Sequence, residues 1–319
     1  MDLRGLETSN HLIFHSPEEL LLRPFPKKIW QWWKHGAEIP DGRLGDGVAM
    51  WRLQNPDHRY ERLSDGDDET FVRDHTSWNP DIAKLFSEIS TDTILRSDFV
   101  RYIALLMDGG VYADIDTTPM KPIEKWIPND LANETNLVVG IEMDKGYPEY
   151  EDIPYTVGFA QYAIMAKQGH PAILRVVEKV YHNLRVLLDE KKSRSAEIEY
   201  AKQNMRQKTE QQSAHAEAHQ MLGLSFEDVI RATGPTAFTA SIWEYLSERT
   251  GQNLTGIEVT NITEPVLISD VLILPINGFG AEQVHSNSGH CNDPQAMVCH
   301  FWVSSWIHDY PYESDLNQS

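Results

Sequence analysis

Apolar residues along this chain recur with two different spacings, and the two spacings alternate. Short apolar runs typical of strands occupy positions 28–33, 111–115, 137–142 and 271–275. Apolar residues at helical spacing predict helices over 71–90 with a break at 78–80, over 97–107, and from Pro171, Ser225 and Pro235 onwards. Strands that alternate with helices indicate an α/β fold, with a mainly parallel sheet between layers of helices.

The predicted helix that begins at Ser97 carries two charged residues on one face. Ser97 is a suitable N-cap, and Asp98 favours the first turn. Asp98 and Arg101 are three residues apart, so their side chains lie on the same side of the helix. Gly109 and Gly110 can take the left-handed conformation that ends a helix. The charged pair is either a surface ion pair or, if it is buried beside further carboxylates, part of a ligand site.

Two carboxylates close the strand that follows this helix. Asp114 and Asp116 are at positions i and i+2, so on a strand they project from the same side. Oxygen ligands of this kind suit a hard divalent ion that also binds substrate phosphates. The segment therefore predicts the metal and phosphate end of a sugar-nucleotide site. The alternative is a solvated strand end, or N-caps for the next helix.

Four segments of the chain together resemble one enzyme family. Residues 97–116 read S-D-F-V-R-Y…G-G-V-Y-A-D-I-D, which resembles the sugar-binding signature of glycosyltransferase family 32. This family includes fungal initiation-type α-1,6-mannosyltransferases. Residues 26–34, 55–65 and 293–306 resemble its other segments in the same order. The resemblance therefore extends over nearly the whole chain.

The resemblance implies a GT-A-like α/β fold with a Rossmann-like, mainly parallel sheet and its site at the carboxyl ends of the strands. It implies one catalytic domain over 26–310, with a helical insertion at about 170–225. Residues 1–25 are then an N-terminal extension, and residues 311–319 are a C-terminal tail.

The reaction that the resemblance implies is metal-dependent transfer of a hexose from a nucleoside diphosphate sugar to an acceptor hydroxyl, with retention of anomeric configuration. Mn²⁺, or Mg²⁺, would serve as Lewis acid for the departing diphosphate. GDP-mannose is the first choice of donor because the fungal mannosyltransferase segments match best, and UDP-sugars remain open. The acceptor is a glycan, a lipid or a small molecule. The other hypotheses are a non-catalytic sugar-nucleotide-binding protein and a metal-dependent phosphohydrolase.

The resemblance also implies which residues hold the metal and the sugar. Asp116 would be a direct metal ligand and His300 a second one. Asp114 would contact the ribose and the water shell of the metal. Asp98 and Arg101 would hold hydroxyls of the transferred sugar. Asp98, Arg101, Asp114 and Asp116 are thus the candidate catalytic residues.

The remaining implied contacts concern the base and the diphosphate. The ring of Trp33 would stack on the base, while Trp30 stands where the family usually has histidine. Ser304 or Ser305 would donate a hydrogen bond to the leaving diphosphate, and Trp306 would close over it. The tryptophans at 30–33 also have a plain alternative as core residues, because aromatic side chains bury large areas.

The charge of the chain excludes some partners. There are 28 Lys and Arg residues against 48 Asp and Glu residues, a formal net charge of −20. Non-specific nucleic-acid binding needs a basic surface, so we expect no nucleic-acid partner. A polybasic contact with anionic lipid is excluded on the same ground.

Three further features concern the surroundings of the protein. Cys291 and Cys299 are the only cysteines, and their spacing allows either a disulfide or two free thiols. Residues 1–25 contain no 18-residue apolar run and no signal-peptide core. Because the chain begins with Met1, we expect a cytoplasmic protein. The alternative is the Golgi lumen with a membrane anchor removed, since the fungal relatives are normally anchored there.

Overall fold

A computed structural model describes residues 17–36, 42–147, 154–206, 225–283 and 288–303. The strands are β1 Lys28–Trp32, β2 Arg59–Leu63, β3 Gly110–Ala113, β4 Thr117–Pro119, β5 Leu137–Asp144, β6 Val157–Phe159, β7 Ala163–Ala166, β8 Val266–Ile268, β9 Val271–Leu274 and β10 Val298–His300. An eight-stranded sheet has the order β2-β1-β3-β7-β5-β9-β8, with β6 paired to β5. Strands β4 and β10 form a separate two-stranded sheet.

The large sheet is mixed, with most strands running in one direction. Strand β1 pairs in parallel with β2 and β3, and β5 pairs in parallel with β9. Strand β7 lies antiparallel between β3 and β5, so β3 and β5 point the same way. Strands β6 and β8 are the other reversed strands. The predicted mainly parallel sheet is confirmed, with these three reversals added.

Helices cover both faces of this sheet. They are α1 Pro17–Leu21, α2 Arg43–Gln54, α3 Asp67–His75, α4 Pro80–Glu88, α5 Thr93–Asp108, α6 Pro171–Arg206, α7 Phe226–Ala232, α8 Pro235–Thr250 and α9 Ile276–Phe279. Successive residues of a strand alternate between two buried clusters: Trp30 belongs to one, and Ile29 belongs to the other. Helix α5 packs on β1, β3 and β7, while α9 packs on β5 and β9. Burial of both faces explains why the strands are apolar almost throughout.

The first helix of the predicted insertion and the helix that follows it begin as the sequence predicts. Helix α6 opens at Pro171 and buries its apolar stripe, which includes Val176 and Val180. Ser225 caps α7, because its Oγ accepts from the Asp228 amide while the Asp228 carboxylate accepts from the Ser225 amide. The rest of the predicted insertion, residues 207–224, lies outside the described residues.

Two element boundaries near the site differ from the prediction. Helix α5 begins at Thr93, because Asp92 is the N-cap and its carboxylate accepts from the Leu95 amide at 3.2 Å. Ser97 is therefore inside the helix, where its hydroxyl donates to the Ile94 carbonyl, and Asp98 lies beyond the first turn. The strand predicted over 111–115 already ends at Ala113.

Two further features of the described residues answer points that the sequence left open. Cys291 and Cys299 are joined by a disulfide. Within the described ranges, none of the helices combines the length and the apolar character that crossing a bilayer requires.

Candidate active site

A cavity of about 510 Å³ opens where the parallel strands β1, β3 and β5 end. Its walls include Trp33 after β1, Asp114 and Asp116 after β3, and Glu142 near the end of β5. The carboxyl ends of parallel strands are the usual place for a ligand in an open α/β sheet. The position of the cavity therefore agrees with the expected place of the site.

Three potential metal ligands meet in this cavity. Ligand atoms of Asp114, Asp116 and His300 all lie within 4.8 Å of one another. His300 Nε2 is 3.0 Å from Asp116 Oδ1. His300 is buried, whereas both aspartates are partly exposed to the cavity. Two carboxylates and an imidazole in this arrangement are able to hold a divalent cation.

The small sheet explains how residues so far apart in sequence come together. In the β4–β10 ladder, Thr117 is the register partner of His300, so the histidine lies beside the residue that follows Asp116. The Phe301 amide donates to the Asp116 carbonyl at 2.8 Å. The Val303 amide donates to Asp116 Oδ2 at 3.0 Å. Both the backbone carbonyl and the side chain of Asp116 are therefore hydrogen-bonded to the segment that carries His300.

A tight turn, instead of a strand, presents the two aspartates. The Thr117 amide donates to the Asp114 carbonyl at 3.1 Å, and the Thr117 hydroxyl donates to the same oxygen at 2.6 Å. Gln31 of β1 donates a third hydrogen bond to it at 3.0 Å. A Cβ on Gly47 of α2 would lie 2.6 Å from the Thr117 carbonyl oxygen. Helix and turn are therefore in direct backbone contact, and the turn has little freedom to move.

A buried arginine joins the helix α5 pair to the first aspartate of the turn. Arg101 Nη2 lies 2.9 Å from Asp98 Oδ1 and 3.1 Å from Asp114 Oδ1. Its guanidinium packs on the Tyr112 ring, and the Tyr112 hydroxyl donates to Asp114 at 2.9 Å. Arg101 Nε and Nη1 are buried and have no hydrogen-bond partner within the described residues. The pair is thus not a surface ion pair, and a ligand oxygen would relieve the cost of these unpaired groups.

The carboxyl groups of Asp98, Asp114 and Asp116 have different pKa values for physical reasons. Burial raises the pKa of Asp98 to about 6, against the opposing effects of the Arg101 charge and the Thr233 hydroxyl. Burial also raises the pKa of Asp114, with Arg101 opposing it and the Asp116 charge adding to it. Burial acts in the same direction on Asp116, but the hydrogen bond and charge of His300 outweigh it and lower the pKa of this carboxyl. Asp116 is therefore the most readily ionised of these three carboxyl groups.

A threonine between α7 and α8, the C-cap of α7, completes the surroundings of Asp98. The Thr233 hydroxyl donates to Asp98 Oδ2 at 2.7 Å, and the Thr233 carbonyl accepts from the Tyr102 hydroxyl at 3.0 Å. The Tyr102 hydroxyl also donates to Gln161 Oε1, and the Gln161 amide lies 3.4 Å from Asp98 Oδ1. The T-G-P sequence at 233–235 predicts either free backbone amides that bind an anion or a hydroxyl, or ordinary helix initiation with Pro at N1. The structure instead assigns a contact to the threonine side chain.

We expect Thr233→Val to destabilise the protein by about 1–3 kcal/mol, because it removes a donor from a buried carboxylate without changing the side-chain volume. Urea unfolding measures this loss. Thr250→Val is the matched control, because the Thr250 hydroxyl donates to the Leu246 carbonyl at the end of α8, away from the site. Equal stability losses in the two variants would contradict the importance of the Thr233–Asp98 contact.

The tryptophans after Lys28 divide between core and cavity. Trp30 and Trp32 belong to one hydrophobic cluster, and their indole N–H groups donate to the Gly109 carbonyl and to Asp68. Trp33 is partly exposed and lines the cavity, as Trp32 also does. Stacking of Trp33 on a base stays a prediction.

The predicted diphosphate contacts cannot be placed. Ser304, Ser305 and Trp306 lie outside the described residues. The described residues just before them, Trp302 and Val303, line the cavity. The Trp302 ring lies 4.0 Å from the His300 ring. The backbone φ of Trp302 is 51°.

Several residues of the cavity were missed by the sequence reasoning. Tyr112 and Tyr162 lie within apolar runs and resemble ordinary core residues. Gln161 has no local signal at all. Glu142 had one: an acidic residue late in a buried parallel strand lies at the sheet edge where the site forms. Thr233 precedes a helix, but its contact with Asp98 depends on packing between elements 135 residues apart.

Residues 42–133 match the sequence model of a family described as the glycosyltransferase sugar-binding region containing the DXD motif. This family match, together with the Asp-x-Asp turn at the carboxyl edge of the sheet, identifies the protein as a glycosyltransferase. It is similar to the initiation-specific alpha-1,6-mannosyltransferase of Candida albicans, with 30% identity over 90% of this chain and 73% of that protein. The chain belongs to glycosyltransferase family 32.

Other known proteins are similar to this chain as well. The initiation-specific alpha-1,6-mannosyltransferase of Schizosaccharomyces pombe is 32% identical over 89% of this chain, and the match spans 64% of that protein. Among solved structures, the UDP-bound glycosyltransferase domain from the YGT toxin overlaps with a TM-score of 0.42 at 11% identity, over 75% of this chain and 82% of that one. PaToxG glycosyltransferase overlaps with a TM-score of 0.39 at 14% identity, over 73% of this chain and 77% of that one.

The cytoplasmic location expected from the sequence is wrong. The fungal mannosyltransferases that match this chain are Golgi enzymes. The expectation depended on how the sequence begins, and the matched relatives are longer than the matched region, so the first residues of this sequence say nothing about location.

Proposed function

We propose that this glycosyltransferase moves mannose from GDP-mannose to a hydroxyl of a glycan, a lipid or a small molecule, with retention of anomeric configuration. The choice of mannose is supported by the names of the two matched mannosyltransferases. The net charge of −20 supports the absence of a nucleic-acid partner.

One structural observation carries the proposal. The cluster of Asp114, Asp116 and His300 and the buried pair of Asp98 and Arg101 share Asp114 as a common member. A group that binds diphosphate and a group that binds sugar hydroxyls are therefore adjacent in one cavity. A nucleoside diphosphate sugar needs both groups at that spacing.

The residues present fit a divalent cation such as Mn²⁺ or Mg²⁺. The donor set is two carboxylates and one imidazole, and Asp116 is kept ionised by its lowered pKa. Three protein ligands leave coordination positions for phosphate oxygens and water. When bound there, such an ion supplies Lewis-acid stabilisation of the negative charge on the departing diphosphate.

The chain's own residues orient the donor. Arg101, rigidly placed by Asp98 and the Tyr112 ring, would hold hydroxyls of the transferred sugar, and Trp33 would stack on the base. In the proposed step the bond from the anomeric carbon to the diphosphate breaks, and the acceptor oxygen bonds to that carbon on the same face. The acceptor proton passes to the leaving diphosphate oxygen. Positioning would then supply much of the rate.

The test is donor turnover in the presence of Mn²⁺. With GDP-mannose, UDP-glucose, UDP-galactose and UDP-N-acetylglucosamine offered separately, we expect release of GDP above the release of UDP, and loss of release with EDTA. Faster release of UDP would replace GDP-mannose by a UDP-sugar. If tight nucleotide binding occurs without any release, the protein is a sugar-nucleotide-binding protein. For a transferred sugar, the anomeric proton coupling in the NMR spectrum of the product decides retention.

A further inference from the structure

We propose that Glu142 binds the acceptor hydroxyl, and that the part of the cavity around the end of β5 is the acceptor subsite. This inference deepens the proposed function and rests on it. The ligand class is a hydroxyl-bearing acceptor with an apolar face, such as the C–H face of a sugar ring.

The first support is an irregularity in the sheet at this residue. In the β5–β6 ladder, Ile141 pairs with Phe159 and Met143 pairs with Gly158. From the first pair to the second, the register moves by two residues on β5 but by only one residue on β6. Glu142 is therefore the extra residue of a β-bulge. Bulges next to active sites turn a side chain away from its regular direction. Here the turned residue lines the same cavity as the Asp-x-Asp turn.

The second support is the number of acids in the cavity. Asp98, Asp114, Asp116 and Glu142 line it together. The first three contact Arg101 or His300, and the donor and metal assignments use all of them. A fourth carboxylate adds repulsion at a site for an anionic donor. An ionised carboxylate is a strong hydrogen-bond acceptor, so Glu142 is chemically able to bind an acceptor hydroxyl.

Tyr162 relates Glu142 to the metal-ligand cluster. Its ring lies 4.3 Å from the His300 ring. Tyr162 and Glu142 line the same cavity, so an acceptor bound by Glu142 lies in the cavity that also contains the metal-ligand cluster.

The surroundings of Glu142 suit a carbohydrate or an alkyl acceptor. Met143 and Val157 lie on the two strands of the bulged ladder, and both line the cavity. Tyr155, just before β6, lines it as well and is partly buried. Apolar and aromatic side chains beside a single carboxylate combine C–H contact with one directional hydrogen bond.

The experiment separates donor chemistry from acceptor binding. Glu142→Gln and Glu142→Ala are compared with wild type in two assays with GDP-mannose and Mn²⁺: hydrolysis by water alone, and transfer to methyl α-mannoside, a high-mannose glycan or an inositol-containing lipid. We expect hydrolysis to stay within about 2-fold of wild type, while kcat/KM for the acceptor falls by about 10- to 100-fold, as for loss of one charge-assisted hydrogen bond. Asp144→Asn is the control, because Asp144 ends the same strand and bonds the Asn261 amide.

Each other outcome has a definite meaning. Transfer at the wild-type rate in both Glu142 variants overturns the inference. An equal fall in hydrolysis also overturns it, because Glu142 would then act on the donor. If wild type neither glycosylates nor binds any of the three acceptors, as followed by saturation-transfer NMR with GDP and Mn²⁺, the hydroxyl-acceptor subsite is wrong. Absence of hydrolysis with every sugar nucleotide instead contradicts the proposed function itself.

Discussion

Asp116→Asn is expected to lower metal-dependent donor turnover by about 1,000-fold or more, which corresponds to about 4 kcal/mol of transition-state stabilisation. The substitution removes the carboxylate with the lowered pKa from the cluster. It also weakens the acceptor for the Val303 amide and for His300. Release of GDP across a Mn²⁺ titration measures the loss, and the Mn²⁺-induced rise in melting temperature reports metal binding without catalysis.

The matched control for this variant is Asp57→Asn, an isosteric change at an exposed residue that pairs with Lys27 on the surface. It should leave turnover and the effect of Mn²⁺ unchanged. If Asp116→Asn retains most of the activity, the assignment of Asp116 as a metal ligand is wrong.

Arg101→Met is expected to lower the free energy of unfolding by about 3–5 kcal/mol at neutral pH, as when one partner of a buried ion pair is removed. The substitution leaves Asp98 and Asp114 buried without their shared cation. It should also abolish donor turnover. Urea unfolding followed by fluorescence measures the stability, and Arg185→Met is the control, because Arg185 pairs with Glu88 on the surface and such pairs contribute at most about 1 kcal/mol.

The stability loss in this variant should depend on pH with a definite sign. The pKa of Asp98 is about 6 in the folded protein, above its ordinary value of 3.8, and removal of Arg101 raises it further. Between these values the folded state binds more protons than the unfolded state, so stability falls as pH rises. The defect of Arg101→Met relative to wild type should therefore be smaller at pH 5 than at pH 8. A defect that is the same at both pH values would contradict a buried, uncompensated carboxylate.

The elements that sequence predicts well here are those whose patterns are strong and local. Strand β1 and helix α6 have clear apolar patterns, and α7 has a capping box, so their predicted first residues agree with the structure to within a residue or two. The predicted start of α5 was wrong because Asp92 and Ser97 are both good N-cap residues. Only the completed fold decides between such local signals.

The long-range contacts of the site have no comparable signal. Gln161 reaches Asp98 because β7 and α5 pack together, and nothing around residue 161 indicates that contact. His300 is one of 13 histidines, and it was singled out only by the family resemblance. Its ladder with β4 is three residues long, which is too short to produce a periodic pattern.

The short ladder between β4 and β10 has a consequence for the order of assembly during translation. Within the described ranges, every strand of the large sheet lies before residue 275, so these strands can pair on the ribosome before residues 298–300 have emerged. A nascent chain halted between these points would have a formed core and a formed Asp-x-Asp turn, but no imidazole beside it. The cation-binding state would thus arise abruptly and late in synthesis, after the scaffold is already stable.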